Sequence, residues 1–385
     1  MTPRILSWPQ WPLHAVRTIQ CRNRQLGITG KKSLARRLVW LFWVLSAVTC
    51  YGQGAITGCA AFLRDGTPVR AVVLPGAVRV DVGRSGSPVS LPMAIKPTSA
   101  CKVSVSADQK LAAVLLYRDK PGMQVVVVDL AKKSWLRPNP SNVEFATEPA
   151  GFVANQHAVV AVSVGSGDPY IQQAGLFPMV LDADTGSVNA EGRNVPYRRN
   201  EVAQQFLDPR NNRLWVQRAD GSCGMESKTL IGEWRKGPTV NADAVDPHGC
   251  HYPSLALFPE RQTAVIGSGW LGNVALWRVD MQSKQAQQLV VSQDKDRYLW
   301  LKTGGEVSAD GRVIGIPVWI MKKSTMRGLS KDGEGVAIVQ VTPFKFVGVA
   351  TTQCEAASFA IDHRGGKTTI VEFCSGQWRE ESLND

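Results

Sequence analysis

No apolar stretch of this chain is long enough to span a bilayer as a helix, which takes about 17–25 residues. The longest, residues 38–48 (LVWLFWVLSAV), has eleven. There is no Cys-x-x-Cys-His for covalent haem attachment and no Gly-x-Ser-x-Gly nucleophile elbow. Alternating strand and helix patterns, amphipathic helices longer than about two turns, and a Gly-X-Y period are also lacking. These gaps speak against α/β hydrolases, helical bundles and collagen-like chains. Acids are absent from the first 55 residues. With 44% apolar and 20% charged residues, the 385-residue chain is globular in composition and apolar enough to bury a core.

The formal net charge of +12 is unevenly placed. Eight of the 44 Lys and Arg residues (Arg4, Arg17, Arg22, Arg24, Lys31, Lys32, Arg36, Arg37) fall in residues 1–37, and residues 38–55 carry no charge. The remainder holds 36 bases against 32 acids, so the basicity belongs to the leader and no nucleic-acid partner is expected. Lys31, Lys32, Arg36 and Arg37 precede the apolar run, and TCYGQGA follows it to Ala55. A positive region, a short apolar core and small residues form the layout of a secretory signal. Residues 1–55 therefore read as a basic N-terminal extension plus signal peptide, and residues 56–385 as one exported domain, periplasmic or extracellular. Membrane contact is expected only through a leader that stays uncleaved.

The exported part is a succession of short β-branched strands separated by turns. Six turn tetrads recur, each ahead of an apolar strand: Ser106-Ala107-Asp108-Gln109, Val153-Ala154-Asn155-Gln156, Leu207-Asp208-Pro209-Arg210, Phe258-Pro259-Glu260-Arg261, Ser308-Ala309-Asp310-Gly311 and Ile361-Asp362-His363-Arg364. Their third or second residues are spaced by 47, 53, 52, 50 and 52. Asp, Asn, Gly and Pro suit such turns because they form Asx-turns, tolerate αL or fix φ. Several strands per unit at this period predict an all-β fold, a single β-propeller. Segments such as SADGR, LDPRNNRLWV and GSGWLGNVALWRVD resemble blades of the WD-repeat and YVTN-repeat β-propeller superfamily, over roughly residues 56–385.

Residues 58–76 look like third and fourth strands with no first and second, and the last unit shows two strands before a polar tail. Combining them predicts six blades, with the ring closed by pairing of N- and C-terminal strands. Seven is the alternative if residues 69–100 form their own short blade. Closure of this kind removes exposed sheet edges.

Residues 56–385 contain six cysteines, Cys59, Cys101, Cys223, Cys250, Cys354 and Cys374. An even number in an exported chain predicts disulfides. The blade register places all six on one face. Cys354 and Cys374 flank one hairpin symmetrically, so a bridge between them is natural; Cys374 to Cys59 would instead staple the termini, and Cys223 to Cys250 would join neighbouring blades.

No catalytic constellation emerges. In His248-Gly249-Cys250-His251 a tight loop cannot aim three ligands at one ion, so no metal and no cofactor are expected. Asp182-Ala183-Asp184-Thr185-Gly186 opens like a calcium loop but lacks the distal Glu, and reads as a hairpin turn. Gly165-Ser166-Gly167-Asp168 and Gly267-Ser268-Gly269 lack the helix and Lys of a phosphate loop. Trp215, Trp234, Trp277 and Trp319 read as packing between blades, whereas Trp270 reads as an exposed stacking surface. A ligand is expected at the mouth of the central channel, near Lys102, Glu201, Gln205, His251, Trp270, Lys302 and Glu355. The leading expectation is an exported, non-catalytic propeller that binds a protein, peptide or glycan on its cysteine-bearing face. The alternative is a lactonase- or quinoprotein-like enzyme at the channel mouth, on fold-level analogy.

Overall fold

The structure is a computed structural model that describes residues 57–384 apart from short connecting segments, the longest being 137–147 and 241–253. The expected leader lies outside the described residues. Every strand below belongs to one of seven antiparallel sheets. Sheet I holds β1 (Thr57–Phe62), β2 (Pro68–Leu74), β3 (Ala77–Val82) and β4 (Val89–Pro92). Sheet II holds β5 (Thr98–Val105), β6 (Leu111–Arg118), β7 (Met123–Asp129) and β8 (Ser134–Trp135). Sheet III is β9 (Glu148–Phe152), β10 (Ala158–Gly165), β11 (Gln173–Asp182), β12 (Val188–Ala190) and β13 (Val195–Arg198). Sheet IV is β14 (Val202–Asp208), β15 (Arg213–Arg218), β16 (Gly224–Thr229) and β17 (Arg235–Thr239). Sheet V is β18 (Ser254–Phe258), β19 (Thr263–Trp270), β20 (Asn273–Asp280) and β21 (Ala286–Val291). Sheet VI holds β22 (Arg297–Leu301), β23 (Glu306–Val307), β24 (Val313–Ser324), β25 (Gly328–Gln340) and β26 (Lys345–Thr352). Sheet VII holds β27 (Phe359–Arg364), β28 (Lys367–Cys374) and β29 (Gln377–Asn384).

Two turn devices repeat and explain the periodicity of the sequence. In sheets II and VI the turn after the first strand is held by a serine. Ser106 and Ser308 each donate to an aspartate two residues on (2.7 Å to Asp108, 2.6 Å to Asp310), and their hydroxyls accept the N–H groups of Leu111 and Val313 at 3.0 Å. In sheets II, III and V the third strand ends in an aspartate that caps the next turn. Asp129, Asp182 and Asp280 each accept two backbone N–H groups at 2.7–3.1 Å. Asp182 thus forms the Asx-type hairpin turn expected of its motif.

Successive sheets pack face to face, because these strands alternate valine, leucine and isoleucine on both faces. Cys59, Val69, Val80, Val103, Val114 and Val126 form the core between sheets I and II. Leu276, Leu301, Ile314, Ile316 and Val339 do so between V and VI, and Val336, Ile338, Phe359, Ile361 and Ile370 between VI and VII. The first strands contact one another in order: β1 with β5, β5 with β9, β9 with β14, β14 with β18, β18 with β23, β23 with β27, and β27 with β1. Consecutive antiparallel meanders stacked in this way are the architecture of a β-propeller.

Among the described residues, the expected sharing of one sheet by the two terminal segments is not found. β1 pairs with β2, and β28 pairs with β27 and β29, in separate sheets. Residues 58–76 supply a first and second strand rather than a third and fourth. The expected polar tail is β29, which pairs with β28 along its whole length. The preference for six units therefore gives way to seven sheets, the first spanning residues 57–92 rather than 69–100. Sheets VII and I are joined by packing instead. Ala60, Ala360 and Val371 are buried together against Phe62 and Trp378. Arg70 forms an ion pair with Glu380 and lies 5.5 Å from the Trp378 ring centroid.

A hydrogen-bonded belt runs around the turns at one end. Arg64 donates its backbone N–H to the Gln109 amide oxygen at 3.1 Å, linking sheets I and II. Arg364 donates to the Arg64 carbonyl at 2.7 Å, linking VII and I. His363 Nδ1 lies 3.0 Å from Asp310 Oδ2, linking VII and VI. Gly66 (φ +81) makes room for this contact, since a Cβ there would lie 2.2 Å from the Arg364 guanidinium carbon.

Candidate functional site at the disulfide-bearing end

The opposite end carries two disulfides. Cys59–Cys101 ties β1 to β5 across sheets I and II, with 5.6 Å between Cα atoms. Cys354–Cys374 ties the chain leaving β26 to the last residue of β28, across VI and VII, at 5.7 Å. Of the two pairings considered for Cys374, the structure has the hairpin-flanking one with Cys354, while Cys59 joins Cys101 and not Cys374. Cys101 lies within β5, and Cys59 lies within β1, a first strand and not a third. Cys223 and Cys250 lie outside the described residues, as does the His248-to-His251 cluster.

Of the expected binding residues, the side chains of Lys102 and Lys302 are described. Lys102, on β5, reaches across to Glu306 on β23 at 3.3 Å. Both line a central cavity of about 310 Å³, together with Phe62, Ser104 and Ile361 from the first strands. Lys302, between β22 and β23, turns away from it and donates to Glu334 at 3.0 Å. Gln205 is within β14, and Trp270 is the last residue of β19, paired with Asn273; only their backbones are described. Glu201, His251 and Glu355 lie outside the described residues.

Sheet VI supplies what sequence reading missed. Its β24–β25 hairpin, 12 and 13 residues long, outruns the other hairpins and continues past the core toward the disulfide-bearing end. There the register places Trp300, Trp319, Glu334 and Thr352 in one cross-strand row. Trp300 and Trp319 meet edge to face at 6.0 Å. Lys302 and Lys331 sit 5.6 and 5.9 Å from the Trp319 centroid, within cation–π range. Glu334, only 6% exposed, organises the group: it accepts from Trp319 Nε1 at 3.1 Å, from Lys302, and from Lys331. Trp319, expected only to fill space, instead stands half-buried under two ammonium groups. The readable signal was the uninterrupted strand-like sequence continuing past Pro317 into Lys322.

The row faces sheet VII. Val336 and Ile338, two and four residues after Glu334, lie in the core against Phe359 and Ile370. Above that core the interface becomes polar and opens into a cleft of about 340 Å³ between β26, β28 and β29, lined by Thr352, Gln353, Glu372, Arg379 and Glu381. Burial pushes the Glu372 carboxyl above its ordinary value, outweighing the Gln353 backbone N–H and the charge of Arg379.

No protein-family model matches the chain, and no curated protein is similar to it. Solved structures are similar in fold. A hydrazine synthase structure from Kuenenia stuttgartiensis is 11% identical over 86% of this chain and 96% of that one, with a TM-score of 0.51. A Dos1 propeller is 11% identical over 87% and 93%, with a TM-score of 0.47. At such identities the likeness concerns architecture alone; it is the chain's own succession of stacked antiparallel meanders that gives it the fold of a β-propeller.

Proposed function

We propose that the chain is an exported, non-catalytic propeller, a closed ring of seven blades, that binds an acidic segment of a partner protein at its disulfide-bearing end. The unbroken order of first-strand contacts supports the ring, and the disulfides together with the leader sequence support export. One observation carries the binding reading: the overlong β24–β25 hairpin holds a tryptophan beneath two lysines at that end. Lys322, exposed on β24, adds a further cation near this end. A rigid aromatic surface rimmed by cations complements an acidic peptide better than a neutral glycan.

The test uses a fluorescent hexaglutamate peptide and its anisotropy. Saturable, salt-sensitive binding is expected, weakened at least about tenfold in Lys322→Glu/Lys331→Glu and unchanged in Arg312→Glu at the belt end. Absence of binding, or equal loss in both variants, would overturn the reading. For export, intact mass of protein from an export-competent host should match a start near residues 51–56, lighter by two hydrogens for each bridge. A full-length reduced chain would contradict it.

A further inference from the structure

We propose that the cleft between sheets VI and VII is a binding site for a primary ammonium group, held by Glu372 of β28 and Thr352 of β26. This site borders the hairpin cluster, Thr352 being the cross-strand neighbour of Glu334, but does not depend on what the hairpin binds. Both residues are only 8% exposed, and both line the cleft. Glu372 Oε1 accepts the Gln353 N–H at 3.3 Å. Glu372 Oε2 and Thr352 Oγ1 are buried and have no hydrogen-bond partner among the described residues. Native proteins rarely leave such oxygens unpaired, and two of them, from facing strands of different sheets, meet at one cavity.

The chemistry of the lining selects the ligand. Glu372 and Glu381 outweigh Arg379, while Glu380, on the other face of β29, turns to Arg70 of sheet I. An ionised carboxylate can only accept, and a hydroxyl can accept as well, so the partner must donate. An ammonium brings three donors and the compensating charge in a small volume. A cleft of about 340 Å³ is at the lower end of ligand sites, which suits a small head group rather than a large ring. The Cys354–Cys374 bridge holds the two walls together, because Gln353 precedes one cysteine and Glu372 lies two residues before the other. Arg379, paired in register with Glu372, stands where a neighbouring carboxylate would meet it.

Such an ammonium comes from a free amino acid or from a peptide N-terminus. Calorimetric titration of the oxidised chain with glycine, glycinamide and N-acetylglycinamide separates these sources. Saturable binding of glycine or glycinamide is expected, with glycine tighter if Arg379 takes a carboxylate and glycinamide tighter if the source is a peptide terminus. N-acetylglycinamide, which lacks the charge, should not bind. Glu372→Gln should weaken the preferred probe about tenfold or more, Thr352→Val less, and Arg312→Glu at the belt end not at all. Equal binding of the acetylated probe, no binding of either amine, or full affinity in Glu372→Gln would overturn the proposal. Those results leave the hexaglutamate test of the hairpin untouched, so the two readings fail separately.

Discussion

Asp310 and Glu372 face each other's sheets from opposite ends of the same interface, and the fold shifts their acidities in opposite directions. Burial alone would raise Asp310, but hydrogen bonds from Ser308, His363 and the Arg312 N–H outweigh it and leave the carboxyl below its ordinary value. Its charge therefore contributes stability above the ordinary carboxylate range, and this is lost as pH falls through the lowered folded value. Urea melts should show Asp310→Asn less stable than the parent at pH 7, with the gap closing in acid. Burial raises Glu372, so its charge costs stability above the raised folded value, and the cost disappears as pH falls through that value toward the ordinary one. Glu372→Gln should accordingly be more stable than the parent at neutral pH and equal to it in acid; the reverse order would refute the burial argument. Gly66→Ala should cost about 1–3 kcal/mol in the same melts, since an L-side chain is strained at φ +81 and would displace Arg364.

Among the elements, the disulfides and the long hairpin of sheet VI do the most to shape the candidate site. Both bridges join neighbouring sheets, and they close loops of 42 and 20 residues. Each should contribute about 2–4 kcal/mol, with the Cys59–Cys101 bridge worth about 0.7 kcal/mol more by chain entropy. Denaturation of the Cys59→Ala/Cys101→Ala and Cys354→Ala/Cys374→Ala variants measures that order. Glu334→Ala should destabilise by about 2–3 kcal/mol, because it strands Lys302, only 18% exposed, beside a carboxylate that is gone. Trp319 fluorescence should red-shift with it, as the ring loses its indole acceptor. Position 319 was visible in the sequence as a strand residue. What put two lysines over it was a hairpin register reaching thirteen residues, which no single turn motif announces.

For the whole molecule, the decisive joint is between sheets VII and I. If residues 377–384 were only a tail, a chain ending at Gly376 would unfold like the parent. With β29 paired to β28 and Glu380 and Trp378 seated on sheet I, that truncation should instead lose its single cooperative urea transition and expose an aggregation-prone edge. The strand-and-turn repeat was legible because its devices are local. Ser-x-Asp turns and aspartate caps hydrogen-bond within five residues, so spacing alone reveals them. The polar segment 377–384 was not, because its register with β28 comes from pairing while its own composition is that of a loop. Residue order alone was enough for an all-β repeat with turns of recurring chemistry, since these rest on contacts short along the chain, and it offered the Cys354–Cys374 bridge as one pairing among several. Only the tertiary structure decided the seven sheets, the Cys59–Cys101 bridge, the Glu334 cluster and the Glu372–Thr352 cleft. The bridge, the cluster and the cleft join residues 42, 32 and 19 apart along the chain, brought together by burial of apolar faces that look alike in every sheet.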